Sequence, residues 1–313
     1  MLIFTLKRLL ATLPVMGMVA IVVFAILRLS PGDPAAVIAG DVATADQLES
    51  IRQQMGLDQA LHLQFAQWIV QLVHGDLGLS LISGVAVTEM IAHRVGPTLS
   101  LSLATIVFSV LIAVPLGVVS AWHQGRLLDR AVMAFSVLGF SIPAFVVAYI
   151  LIFLFSIEFQ WLPVQGYKPL SGGIGPWLQR LILPTITLST VYIALIARIA
   201  RTSIIEVMNE DYIRTARAKG MRERAVVLRH ALRNAAVPIV TIIGIGVSML
   251  IGGVVVTESV FNLPGLGRLV VEAVLARDYP VIQGLILLFS FVYILINLAV
   301  DLLYFVFDPR IRY

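Results

Sequence analysis

Apolar residues gather along this chain in six long runs, separated by polar segments of very unequal length. The runs cover 9–27, 98–121, 131–156, 181–203, 235–257 and 281–306. At 1.5 Å per residue, ~20 residues cross a hydrocarbon core about 30 Å thick. In lipid such runs have to be helical, because an unpaired backbone group has no water to bond. The pattern therefore predicts an all-α, polytopic membrane protein with six transmembrane helices and both termini on one side. The segment between the first two runs is patterned as well. Thr44 or Asp46 can cap a helix, with Glu49 placed as in a capping box, and Gly56 can stop it. Leu61, Phe65, Trp68, Ile69 and Leu72 then recur at helical spacing. Two short amphipathic helices are expected there.

Composition agrees with lipid as the solvent. Hydrophobic residues make up 59% of the 313, and charged residues only 13%. A soluble domain carries about 25% charged residues. The first run follows a basic start and is longer than the 7–15 residues or so of a secretory signal, so an uncleaved membrane helix is expected. Cysteine is absent, which excludes disulfides, thiolate nucleophiles and Cys-based metal sites. The lysines are Lys7, Lys168 and Lys219, preceded by Leu6, Tyr167 and Ala218. The Gly-Lys-Ser/Thr end of a phosphate-cradling loop is thus missing.

Charge distribution sets the orientation. With the N-terminus inside, fifteen of the 22 basic residues fall on inner segments and seven on outer ones. The positive-inside rule then places both termini in the cytoplasm of a cell bounded by this inner membrane. The resulting organisation is a first helix at 1–30, an outer loop at 31–97, a five-helix core at 98–307 holding an inner loop at 204–234, and an inner tail at 308–313.

Three features inside the runs invite a reading. Gly244, Ser248 and Gly252 repeat at four-residue spacing, as do Ser109, Ala113, Gly117 and Ala121. Small residues so spaced let helix backbones approach closely. Tight packing is the preferred reading, and a solute path along the fifth run is the alternative. Pro115 and Pro143 predict kinks. Asp301 is the acid placed inside a run, level with Arg198 and Arg201. An ion pair is preferred to proton coupling, since a relay needs several titratable groups.

The inner loop is the most unusual stretch. "DYIRTARAKGMRERAVVLRHALRNA", Asp211 to Ala235, packs Arg214, Arg217, Lys219, Arg222, Arg224, Arg229 and Arg233 together. Asn209 or Asp211 can cap a short helix, and Gly220 suits the left-handed position that ends one. At about 100° per residue, Arg222, Arg229 and Arg233 of a second helix fall within ~40° of each other. Ala225, Leu228, Leu232 and Ala235 gather on another face. The loop is either a topogenic basic segment on anionic headgroups or a docking element whose apolar ridge fills a groove in a cytoplasmic partner.

"DYIRTARAKG" followed by "LRHALRNAAVPIV" resembles the cytoplasmic loop of binding-protein-dependent ABC importer permeases, in the dipeptide/oligopeptide/nickel branch. The general motif of that family is Glu-Ala-Ala, three residues, Gly. Here Arg214, Thr215, Ala216 and Gly220 hold its positions, and the first two depart from it. "LSPGDPA" at 29–35, "TESVFNLPGLGRL" at 257–269 and "FDPRIRY" at the end resemble further segments of the branch, in the same order. The resemblance implies a MetI-like type I importer fold and a second, homologous permease subunit. It also implies two ATPase subunits that bind ATP and magnesium, and a periplasmic solute-binding protein. No nucleic-acid partner and no cofactor in this chain are implied. Asp211, Tyr212, Arg214, Thr215, Ala216, Gly220, Arg222, Leu228, Arg229 and Arg233 would meet the ATPases. The solutes implied are peptides, glutathione or metal chelates. The rival readings are an ion-coupled secondary transporter resting on Asp301 and a membrane scaffold with no solute path.

Overall fold

The computed structural model describes residues 2–29, 35, 44–54 and 57–307, with side chains at 10–25, 35, 44–50, 52–53 and 57–303. The expected Gly56 stop, the tail at 308–313 and most of the two segments at 29–35 and 307–313 lie outside these residues. Helices follow one another in the order α1 (Leu2–Leu29), α2 (Ala45–Gln54), α3 (Leu61–Val73), α4 (Val87–Trp122), α5 (Leu127–Ser141), α6 (Ala144–Ile152), α7 (Ile174–Met208), α8 (Asp211–Ala218), α9 (Ala236–Val260), α10 (Leu266–Ala276) and α11 (Tyr279–Phe307). A π-helical turn, Phe153–Glu158, continues α6.

Four of these, α4, α7, α9 and α11, are long and apolar enough to cross a membrane, and α5 with α6 makes a fifth, bent span. The first expected run falls on α1, a 28-residue helix whose stretch Leu10–Ala25 is apolar and which packs along α11. The structure corrects three sequence expectations. Helix α4 begins at Val87, well before position 98, and runs unbroken through Pro115. Pro143 does more than kink the third run. It ends α5 at Ser141, and the chain turns through 101° before continuing. The cap of α2 is Thr44 paired with Gln47: each backbone N–H reaches the other's side-chain oxygen, at 3.0 and 3.4 Å. That is the reciprocal capping arrangement on Thr44, one of the two expected caps, with Gln47 as its partner in place of Glu49. Helix α3 seats Phe65 and Trp68 on Phe24 of α1, with ring centroids 5.2 and 5.7 Å apart.

Helix α7 is the centre of the bundle. In its most apolar window 61% of residues are buried, against 28% for α4 and α9 and 11% for α11. Helices α4, α5, α6 and α9 all pack on it. Small residues make this possible. A Cβ on Gly117 of α4 would lie 2.6 Å from Cβ of Ala200 and 2.9 Å from the Ala197 carbonyl. One on Gly139 of α5 would lie 3.3 Å from Cβ of Ala194, and one on Gly253 of α9 would lie 2.8 Å from Leu188. Ser109, Ala113, Gly117 and Ala121 are all buried, so the stripe in the second run is a packing stripe.

Gly117→Ala should therefore destabilise the bundle by about 1–3 kcal/mol, the cost of overpacking a filled contact. Gly252→Ala should leave the bundle as stable or up to about 1 kcal/mol more stable, since nothing lies within 4 Å of its added methyl and Ala is the better helix former. Thermal unfolding of the purified proteins in detergent compares the two.

Candidate functional site

The basic loop folds at one end of the bundle, directly after α7. Helix α8 buries Ile213 and Ala216, three residues apart, and presents Asp211, Tyr212, Arg214 and Thr215 outward. Its cap is Glu210, in extended geometry with no side-chain cap bond, and so neither Asn209 nor Asp211 fills that role. Asn209 bonds back to the Ile205 carbonyl instead. Asp211 stands in the first turn, where its charge suits the helix N-terminus, 3.2 Å from Arg214 Nη1.

The other end of α8 is closed by Gly220, at φ +76°. The Gly220 N–H donates to the Arg217 carbonyl at 2.9 Å, and the Met221 N–H to the Ala216 carbonyl at 3.3 Å. These two bonds make a Schellman motif, which needs a left-handed residue at that position. Arg217 then reaches across the turn to Glu223, at 2.7 Å. The guanidinium holds the Glu223 carboxyl below the usual carboxylate range. The contribution of this pair is present at neutral pH and fades as the pH falls through the lowered value. Both side chains are 40% exposed, so it is worth under about 1 kcal/mol.

After Arg222 the chain is helical again: Glu223–Ala225, a π-turn Val226–Ala231, then Leu232–Asn234, leading into α9. The π-turn corrects the expected apolar ridge. Its i→i+5 bonds insert an extra residue and shift the helical phase of every later position. Val227, Ala231 and Ala235 turn inward and pack with Val118, Ala121, Ala200, Ile204 and Ile239. Of the expected ridge, Ala235 is fully buried, Ala225 and Leu232 are half-buried, and Leu228 is 55% exposed. Arg222, Arg229 and Arg233 are exposed, and Leu228 stands among them. Ile213 and Glu223 anchor the loop; the three-residue spacing of Ile213 and Ala216 was the available signal for the first.

The expected ion pair is also different. Arg201 is held by Asp129 of α5, with Nε to Oδ1 at 2.5 Å and Nη2 to Oδ2 at 2.8 Å. Ser120 Oγ and the Gly125 N–H donate to the same carboxylate, at 2.6 and 2.8 Å. Asp129 thus ties the α4–α5 turn to α7. Asp301 lies elsewhere, on α11, lining a cleft with Thr12 of α1 and Asn297. Arg198 is exposed on α7. The reason is packing: α11 lies against α1, α4, α9 and α10, whereas α5 lies against α7.

At the opposite end of the bundle, Glu258 in the last turn of α9 is fully buried. Thr98 Oγ1 donates to it at 2.6 Å, and the Arg268 N–H, in the first turn of α10, at 3.0 Å. The Leu266 N–H donates in turn to Thr98 Oγ1 at 2.8 Å. The carboxylate therefore caps α10 from a distance. Gly265 leaves it room: a Cβ there would sit 2.0 Å from Glu258 Oε1. This explains in structural terms the Glu and the first Gly of "TESVFNLPGLGRL", and Gly267 is required likewise, since a Cβ there would sit 2.7 Å from Cα of Val255.

The Gly244, Ser248, Gly252 stripe divides. Gly244 packs against Val300 of α11, within 2.2 Å of where its Cβ would be. Ser248 is half-buried, and Gly252 is exposed with open space beside it.

Comparison with known proteins decides the family. Residues 113–313 match the binding-protein-dependent transport system inner membrane component, and residues 1–102 match the N-terminal part of such membrane components. The chain belongs to this family. It is 52% identical over 311 residues, 99% of both chains, to the probable peptide ABC transporter permease protein y4tP of Sinorhizobium fredii. It is 47% identical over the full length of both chains to the glutathione transport system permease protein GsiC of Escherichia coli. The solved inward-facing structure of the MetNI methionine ABC transporter matches with TM-score 0.59 at 20% identity, over 71% of this chain and 97% of that one. That likeness gives the fold, a MetI-like permease of the type I importer class. The chain is thus a permease component of a binding-protein-dependent system of the inner membrane.

Asp129→Ala in this permease should cost about 3 kcal/mol, because it leaves the Arg201 charge without its partner. Adding Arg201→Leu should recover part of that loss. Thermal unfolding of the single and double variants gives the coupling.

Proposed function

We propose that this chain is one permease subunit of an ATP-driven importer that carries short peptides, tripeptides of the glutathione kind among them, inward across the inner membrane. The relatives' names supply the solute class. The observation that carries the reading is α8: a short helix closed at its far end by the Gly220 turn, anchored by Ile213 and Ala216, with Tyr212, Arg214 and Thr215 facing out. We place this end in the cytoplasm, where the excess of basic residues belongs. Two separate ATPase subunits seat α8 and the arginine-rich segment after it. The missing phosphate loop is consistent with ATP being hydrolysed in those chains. A second, homologous permease completes the membrane part, and a periplasmic solute-binding protein delivers the peptide at the α10 end.

The mechanical logic lies in the contacts. Helix α8 continues from α7 after only Asn209 and Glu210, and it packs on the π-turn that leads into α9. A push on α8 therefore reaches two membrane helices at once. The Schellman closure and the Arg217–Glu223 pair keep the loop stiff, so displacement is transmitted and not absorbed.

ATP-dependent uptake of a labelled tripeptide into proteoliposomes, by the chain assembled with its partner subunits, tests the proposal. Uptake by this chain alone, driven by an ion gradient and indifferent to ATP, would replace it with a secondary transporter. Gly220→Pro cannot adopt φ +76°. It should cut uptake at least about tenfold while ATP hydrolysis continues and membrane insertion is unchanged. Cysteines at Arg222, Arg229 and Arg233 should crosslink to the ATPase; failure at all three sites would favour the lipid-headgroup reading.

A further inference from the structure

Near their midpoints, helices α4, α7 and α9 meet around a narrow crevice. Thr105 and Ser109 of α4, Tyr192 and Ile196 of α7, and Gly246 and Leu250 of α9 line it. Thr105 is fully buried and Ser109 is 1% exposed. Among the described residues, neither hydroxyl has a hydrogen-bond partner. Burying a hydroxyl in this way costs the whole desolvation of the group, and valine or alanine would pack here without that cost.

Other hydroxyls within the spans solve the problem locally. Ser136 and Thr190 each donate to the carbonyl four residues earlier at 2.9 Å, and Thr241 and Thr257 do so at 2.8 and 3.0 Å. Ser109 is denied that bond. The Thr105 carbonyl already accepts the Ser109 N–H within the unbroken α4, and Ser189 Oγ of α7 donates to it at 3.5 Å. Its two lone pairs are then both taken. Across the crevice Gly246 has no side chain to offer, and a Cβ there would lie 3.3 Å from the Tyr192 ring. The space beside the two hydroxyls leaves about 10 Å³ for the centre of a water molecule. That is the room one water requires.

We infer that this crevice binds a single water molecule, which bridges Thr105 Oγ1 and Ser109 Oγ where α4, α7 and α9 meet. The two residues stand one helical turn apart, with Cβ atoms about 5–6 Å from each other, so one water reaches both hydroxyls at ordinary bonding distance. It thereby gains the two polar partners that an internal water needs. A peptide or an acyl chain is too large for the space. Bonding through water also spares α4 and α9 a direct polar contact at this level, and α9 is one of the two helices that a push on α8 reaches.

Radiolytic footprinting of the complex assembled with its partner subunits tests the site. A brief X-ray pulse in ¹⁸O-water generates hydroxyl radicals from bound water, and mass spectrometry reads the oxidised side chains. Tyr192 lines the crevice and is only 7% exposed, so radicals formed in bulk solvent reach it poorly. The expected result is oxidation of Tyr192 in the unsubstituted complex. Oxidation should fall at least about fivefold in the double variant Thr105→Val, Ser109→Ala, the occupancy lost with one hydrogen bond. Thr105→Ser, which keeps the hydroxyl, should retain the label. Trp161, 68% exposed, should be oxidised equally in all of them and controls for dose and folding. If the double variant does not assemble, Ser109→Ala alone carries the comparison. An unlabelled Tyr192 in the unsubstituted complex, or labelling that loss of the hydroxyls leaves unchanged, overturns the inference.

Discussion

Everything in this permease is arranged around how closely other helices can approach α7. Glycines on three different helices meet it: Gly117 from α4, Gly139 from α5, Gly246 and Gly253 from α9. In lipid the hydrophobic effect does not draw helices together, so close van der Waals packing has to do so. A missing side chain at each crossing is what lets backbones come near enough. Ala194, Ala197 and Ala200 serve the same purpose on α7 itself, and all three are buried. The remaining helices are placed relative to this assembly, down to α11, which packs on its flank and is largely uncovered.

Polar contacts then fix the two ends. At one end Asp129 collects Arg201, Ser120 and the Gly125 N–H, so the α4–α5 turn cannot slide along α7. At the other, Glu258 joins α9, α4 and the start of α10. Buried charges are costly in the membrane and survive when paired or hydrogen-bonded, as these are. A third polar anchor, Asp278, accepts a bond from Ser80 Oγ at 2.5 Å and ties the turn before α4, where Leu79 pairs with Ala86, to the start of α11. Between these anchors the buried polar groups are hydroxyls without charge, such as Thr105, Ser109, Ser136, Thr187 and Ser189.

The spans, the short helices before α4 and the turn at Gly220 were legible in the sequence, because each depends on local signals. Apolar length predicts a membrane helix whatever its neighbours are. A glycine after an amphipathic stretch predicts a left-handed cap, and Gly220 has that geometry. Three features were not legible, since each depends on tertiary context. Arg201 could be paired with any acid at a similar depth, and only the packing of α5 on α7 selects Asp129 over Asp301. Pro143 was legible as a bend, but not as a turn of 101°. The inward ridge of the basic segment was misplaced because a π-turn cannot be read from periodicity; a wheel drawn at constant pitch assumes the very regularity that Val226–Ala231 breaks.

That π-turn has a wider consequence. From Glu223 to Val260 the chain is almost one shaft, with the arginines at one end and the helix pressed against α7 at the other. The angular offset between those two regions depends on how many residues a single winding contains. Gain or loss of one residue there would swivel the charged end relative to the rest while leaving the composition of both regions intact. The π-turn at Val226–Ala231 therefore sets the direction in which the arginines project from the bundle.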